Sequence, residues 1–160
     1  MEAELTTLCY IEKDGQYLML HRTKKKDDPS QDLWMGVGGH LEQGESPDDC
    51  IVREVKEETG LTLTDYRLCG VVSFSEGDWY EYMFLYHAGG FTGELSECNE
   101  GDLLWIDKNK AIHELTSWEG DKIFLELMEA GEPCFSLKLH YENRRLQSAV
   151  LNGKPFVSKR

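Results

Sequence analysis

The chain has 160 residues, 40% of them apolar and 29% charged, which suits one hydrophobic core and leaves too little for two comfortable domains. Seventeen Lys and Arg against 30 Asp and Glu give a net charge of −13, excluding a broad, sequence-independent grip on nucleic acid or anionic membrane. No apolar run approaches the roughly 20 residues of a membrane span, and Met1-Glu2-Ala3-Glu4 has neither the basic nor the apolar block of a secretory signal. Five cysteines form no CxxC pair, so reduced thiols and a cytoplasmic location are expected.

Leu5 to Lys13 is rich in β-favouring residues and runs into Asp14-Gly15, after which Tyr17 to Leu20 resumes the pattern: a hairpin. Arg22 to Ser30 reads as a polar loop and Leu33 to Val37 as a short strand. A helix is expected from Pro47 to Thr59, with Ser46 as N-cap, Asp48 and Asp49 in the first turn, and Gly60 as its stop. Strands follow at Tyr66 to Phe74, Trp79 to His87 and Leu103 to Ile106. Lys108 to Leu115 and Asp121 to Ala130 are expected to be helical. Phe135 to Tyr141 alternates as a strand and turns at Glu142–Arg145 into Leu146 to Leu151; Asn152 to Arg160 reads as a polar tail, loose at its end. This order predicts a single α+β domain over 1–160, with a mixed sheet between helices.

Glu54, Glu57 and Glu58 stand at i, i+3 and i+4 on one helical face. Like charges at that spacing repel. They form either a solvated acidic face or a cluster awaiting a cation, for which carboxylate oxygens favour Mg²⁺ or Mn²⁺. Glu45 lies just ahead of the helix, and Arg53 could fork onto a carboxylate and hold it. Gly38-Gly39, Gly44 and Gly60 give the flanking loops tight turns, as a polyphosphate site requires.

The spacing is Gly, five residues, Glu, seven residues, then Arg-Glu-apolar-x-Glu-Glu-x-Gly-apolar. Gly39, Glu45, Arg53, Glu54, Val55, Glu57, Glu58, Gly60 and Leu61 meet it without a departure. This resembles the Nudix box of nucleoside diphosphate-linked hydrolases. The resemblance implies an α/β/α sandwich with a mixed β-sheet between helices, and Mg²⁺-dependent attack of water on a pyrophosphate linkage, with Mn²⁺ as a substitute. Glu54, Glu57 and Glu58 would hold metal with the Gly38 carbonyl, supported by Glu45 and Arg53. Arg22 and Lys24 to Lys26 would add local positive charge for a triphosphate.

Segments outside the box resemble MutT-type diphosphatases of oxidised purine triphosphates such as 8-oxo-dGTP. Trp34-Met35 precede Gly36 to Gly39 in the strand entering the box. Glu100 falls where the family places a further metal-binding or water-activating glutamate. Trp118-Glu119-Gly120-Asp121 is similar to a segment whose tryptophan stacks on the base and whose aspartates read its edge. The substrate-binding set expected from this is Arg22, Lys24, Trp34, Met35, Gly39, Trp118 and Asp121; the catalytic set is Glu45, Arg53, Glu54, Glu57, Glu58 and Glu100. Each outer residue has a plain alternative: Trp118 as packing at the helix start, Glu100 as a loop residue, Arg22 and Lys24 as solvated charges. Met35 replaces the asparagine that reads the base in the animal enzymes, and a thioether supplies no paired amide contacts. Tyr10, Phe74, Tyr82 and Phe84 are aromatic candidates for the pocket wall, and His40 for a place near phosphate. The expected partner is a small nucleotide, bound by a monomer or homodimer. Dinucleoside polyphosphates or unmodified nucleoside triphosphates are the alternative substrates, and a non-catalytic nucleotide sensor is the alternative class.

Overall fold

The structure is a computed structural model that describes residues 2–24 and 27–156. The elements in chain order are β1 (Glu4–Lys13), β2 (Gln16–Arg22), β3 (Trp34–Met35), α1 (Pro47–Thr59), β4 (Thr62–Glu76), β5 (Trp79–Thr92), β6 (Gly101–Asp107), α2 (Lys108–His113), α3 (Asp121–Glu129), β7 (Phe135–Glu142), β8 (Arg145–Leu151) and β9 (Lys154–Pro155). They form the mixed sheet between helices that the sequence predicts. The strand order is β3-β2-β1-β5-β4-β7-β8-β9, with β6 paired to β2; the β1–β5 and β4–β7 pairings are parallel and the others antiparallel.

One departure from a simple hairpin creates the site. Asp14 and Gly15, at φ 52° and 77°, turn β1 into β2, but the two strands pair only at Glu12–Tyr17 and Lys13–Gln16. Beyond the turn they part, and β2 pairs along its whole length with β6. The space beside β1 is taken by the segment that follows β3. Val37 bridges Cys9, the Thr7 N–H donates to the Gly39 carbonyl at 2.8 Å, and the Leu41 N–H donates to Leu5 O at 3.0 Å. The strand expected over Leu33–Val37 therefore pairs with β2 only at Trp34–Met35 before crossing to β1.

Alternation along β1 builds a core on each side of the sheet. Leu8 and Tyr10 join Met19, Leu85, Phe124 and Leu139 beneath α2 and α3. Cys9 and Ile11 join Leu18, Val37, Ile51 and Val55 beneath α1. Burial of Ile51 and Val55 contributes ~3–6 kcal/mol together, whereas like charges at i, i+3 and i+4 oppose the helix by ~0.2–0.5 kcal/mol per pair. The core therefore holds α1 in place despite its acidic face. Ser46 and Asp49 add a reciprocal capping box, and Gly60 ends the helix at φ 83°.

The tail differs from expectation. Asn152 and Gly153, at φ 50° and 80°, make a further tight hairpin that returns β9 against β8. Asn-Gly is a strong hairpin signal, and it folds Lys154–Pro155 onto the sheet edge where a polar tail was expected; residues 157–160, the end expected to be loose, lie outside the described residues.

Candidate active site

The geometry of α1 divides the three glutamates. At about 100° per residue, Glu58 lies about 40° from Glu54 towards the Ile51–Val55 stripe, while Glu57 lies about 60° the other way, towards Arg53. Glu54 and Glu58 accordingly line a large cleft of about 870 Å³, together with Gly38, Gly39, Arg22, Asp28 and Glu100. Glu57 does not line it. Its side chain is 59% exposed and accepts a hydrogen bond from Arg53 Nη1 at 3.1 Å.

Arg53 organises the approach to the cluster. Its Nε and Nη2 donate to the two oxygens of Glu45 at 2.7 and 2.9 Å, Nη1 donates to Glu54 at 2.9 Å, and Nη2 also reaches the His40 carbonyl at 3.1 Å. The Arg53 guanidinium and the Glu42 N–H hold the Glu45 carboxyl down at about 2. Neither Glu45 nor Arg53 lines the cleft; both stand behind its wall.

Gly38 and Gly39 press against β1 and α1. A Cβ on Gly38 would sit 1.9 Å from the Thr7 carbonyl oxygen, and one on Gly39 would sit 2.5 Å from the Glu54 carboxyl carbon. Glycine at 39 is what lets that carboxyl approach. The Val37 and Gly39 carbonyls bond to β1, so on this extended backbone the Gly38 carbonyl is turned the other way, and Gly38 lines the cleft.

Whether these groups suit a divalent cation can be judged from Glu58. Its Oε2 is buried with no donor among the described residues in reach and the Glu100 carboxyl beside it, a costly arrangement for two carboxylates without a cation. Burial, then the Glu100 and Glu54 carboxylates, push the Glu58 carboxyl well above the usual range. Hard oxygen donors from Glu54, Glu58, Glu100 and the Gly38 carbonyl fit Mg²⁺ or Mn²⁺. No three acidic, His or Cys side chains among the described residues already converge as a ligand set. Arg53 holds Glu54 and Glu57, and Arg22 holds Glu100 (Nη1 to Oε2, 3.0 Å) and Asp28 (Nε to Oδ2, 2.5 Å).

The expected substrate-binding residues separate. Arg22, Met35, Gly39 and Trp118 line the cleft. Trp34 does not: its ring stacks on His21 with centroids 4.4 Å apart, because the two face each other across β2 and β3. Lys24 Nζ donates to the Cys98 carbonyl at 2.9 Å and also stands outside the lining. Lys25 and Lys26 lie outside the described residues. His40 is at the rim, 3.3 Å from Glu4.

Trp118 lines the same cleft. Its Nε1 donates to Ser30 Oγ at 2.9 Å, its ring meets Tyr141 edge-on, and the Arg144 guanidinium sits 5.1 Å above it. Below lies an apolar recess of about 100 Å³ walled by Leu8, Met35, Phe74, Met83 and Phe124, into which Asp121 and Glu81 face. Of the aromatic candidates only Phe74 lines this recess. Tyr10 is fully buried core, Phe84 packs in the α1-side core, and Tyr82 is exposed.

Asp121 is 5% exposed, and burial followed by the neighbouring Glu81 pushes its carboxyl up to about 8. A raised carboxyl contributes stability that is full below its unfolded pKa near 4 and is lost as pH rises through about 8. Asp121→Asn is therefore expected to raise Tm relative to the parent chain, and by more at pH 8 than at pH 5. Thermal unfolding in EDTA at the two pH values checks this; a difference that shrinks with pH would contradict it.

Asp28, Glu81 and Arg144 were not singled out by sequence reasoning. Glu81 had a signal: in the alternation of β5 it shares a phase with buried Met83 and Leu85 rather than with exposed Tyr80 and Tyr82. Arg144 depends on the β7–β8 turn, with Asn143 and Arg144 at φ 51° and 65°. No local motif announces where that turn lands.

Residues 4–128 match the NUDIX domain family model. The Nudix hydrolase YvcI of Bacillus subtilis (strain 168) is 35% identical over 134 residues, covering 79% of each chain. The oxidized purine nucleoside triphosphate hydrolase of Danio rerio is 29% identical over 128 residues, covering 79% of this chain and 80% of the relative. Among solved structures, the mutator MutT protein from Bacillus halodurans superposes with a TM-score of 0.84 at 27% identity, covering 95% of this chain and 99% of that one. A family match that takes in β1 through most of α3, with every box position intact, makes this chain a member of the Nudix hydrolase family.

Proposed function

We propose that this Nudix hydrolase is a divalent-metal-dependent nucleoside triphosphate pyrophosphohydrolase of oxidised purine nucleotides, converting 8-oxo-dGTP to 8-oxo-dGMP and pyrophosphate and so cleansing the nucleotide pool. The observation that carries this reading is that Trp118 shares one cleft with Glu54, Glu58 and Glu100, while buried Asp121 faces the recess opening beneath it. An aromatic face grips any base, and a polar edge contact chooses among bases. The Danio rerio relative, an oxidized purine nucleoside triphosphate hydrolase, agrees with this substrate class.

Glu54, Glu58, Glu100 and the Gly38 carbonyl would hold Mg²⁺, or Mn²⁺ in its place, with Glu57 joining from its contact with Arg53. When bound, the ion would neutralise phosphate charge and lower the pKa of a coordinated water. Arg53 holds Glu45 and Glu54 in position. Arg22 sets a guanidinium at the phosphate end while tethering Glu100 and Asp28. Glu58 and Glu100 adjoin each other, and either carboxylate would be placed to take the proton of the attacking water. Met35 gives the recess an apolar wall without amide contacts, and this favours unmodified purine triphosphates as the second reading.

Product analysis tests the proposal. With Mg²⁺ the protein is expected to release pyrophosphate and a monophosphate from a purine nucleoside triphosphate, to stop in EDTA, and to resume with Mn²⁺. Orthophosphate as the first product, or turnover indifferent to EDTA, would contradict it.

A further inference from the structure

We propose that Glu81 of β5 is a specificity-determining residue that, with Asp121, accepts hydrogen bonds from a base presenting adjacent ring-imino and exocyclic-amino N–H donors, as the Watson–Crick edge of guanine does. The inference rests on the reading that the base enters beneath Trp118.

Glu81 and Asp121 come from distant parts of the chain, the middle of the sheet and the first turn of α3, and face the same small recess. Asp121 is nine-tenths buried, and its carboxyl makes no hydrogen bond among the described residues. Glu81 is oriented by the Thr6 hydroxyl, which donates to Oε2 at 2.7 Å. Burial raises both carboxyls. Two acids in an apolar recess are costly unless donors answer them, and of the two only Glu81 has one among the described residues, the Thr6 hydroxyl. β1 and β5 are already joined by a continuous parallel ladder from Glu4–Glu81 to Ile11–Ala88, so the Thr6–Glu81 bond adds an aim rather than a missing connection.

The other carboxyls at this end are engaged. Glu76 Oε2 accepts the Arg144 N–H at 2.8 Å, and Glu4 is at the rim beside His40. The recess therefore offers acceptors and apolar walls, complementary to a flat base with two neighbouring N–H donors. Hypoxanthine has the ring N–H without the amino group. Replacing an N–H donor where buried acceptors expect one leaves those acceptors unpaired, which is the strongest form of discrimination a pocket has.

The experiment is calorimetric binding of dGMP and dIMP, which differ only by the 2-amino group, to the full chain and to Glu81→Gln. Glutamine keeps an oxygen for the Thr6 hydroxyl, so the strand pair is undisturbed, and thermal unfolding verifies this. The parent protein is expected to bind dGMP at least tenfold tighter than dIMP. Glu81→Gln is expected to bring the two within threefold, by weakening dGMP while dIMP changes less than twofold. No preference in the parent, an unchanged preference in the variant, or equal weakening of both ligands would overturn the assignment. Binding requires no turnover, so the two readings fail separately. A Glu81-dependent preference in a protein that releases no pyrophosphate would sink the pyrophosphohydrolase reading and support this one. Purine triphosphate turnover with a Glu81-independent preference would sink this one alone.

Discussion

Glu58→Gln is expected to lower kcat/KM for a purine nucleoside triphosphate by about 10³, or ~4 kcal/mol of transition-state stabilisation. The substitution keeps the volume and removes one negative oxygen from the most buried member of the cluster. In the parent Oε2 is buried beside the Glu100 carboxyl with no donor among the described residues in reach, an arrangement a cation would relieve. The same argument predicts opposite effects on stability and metal binding. In EDTA the variant should melt no lower than the parent, because a neutral amide suits a site that already holds the carboxyl pKa high. Its Mn²⁺ affinity should fall at least tenfold. Activity within tenfold of the parent, with metal affinity unchanged, would show that Glu58 is one more residue of a solvated acidic face.

Trp118→Ala is expected to raise KM by 10- to 100-fold, since stacking on an aromatic ring contributes ~1–3 kcal/mol per base. The tryptophan contacts Ser30, Tyr141 and Arg144 rather than the glutamates, so kcat should change by less than KM. Two contacts complicate a simple truncation: Nε1 binds Ser30 Oγ at 2.9 Å, and the ring packs edge-on against Tyr141. Trp118→Phe separates them. It preserves a ring face and loses the N–H, so KM should stay within about threefold if stacking is what matters. A KM unchanged in Trp118→Ala would return Trp118 to plain packing at the start of α3.

The box helix could be read from the sequence because its signals are local. Ser46, Pro47, Asp49 and Gly60 set its ends, and all four behave as caps do. The spacing of Glu54 and Glu58 placed both on the cleft side. Sequence spacing alone could not separate Glu57 from them, because that depends on which side of the acidic stripe the core lies, and Ile51 and Val55 decide it through packing. Trp34 shows a different limit. The residue has the right neighbours in sequence, yet β3 pairs its position with His21, and the stacked pair turns the indole away from the cleft.

Long-range juxtapositions were hidden for the same reason. Glu81, Asp121 and Arg144 meet around Trp118 only because β5, α3 and the β7–β8 turn converge at one end of the sheet. The β1–β2 hairpin was legible from Asp14-Gly15, but its early splaying was not. That splaying admits residues 37–41 beside β1 and turns the Gly38 carbonyl towards the cleft. Among the described residues no helix is long and apolar enough to cross a membrane.

The most direct test of the account is kcat/KM for 8-oxo-dGTP and for dGTP, measured side by side with Mg²⁺ and with products identified. A preference of at least tenfold for the oxidised nucleotide, ~1.4 kcal/mol of differential transition-state binding, with 8-oxo-dGMP and pyrophosphate as products, is the predicted result. Equal turnover of the two would leave the Nudix chemistry standing and contradict the oxidised-purine assignment.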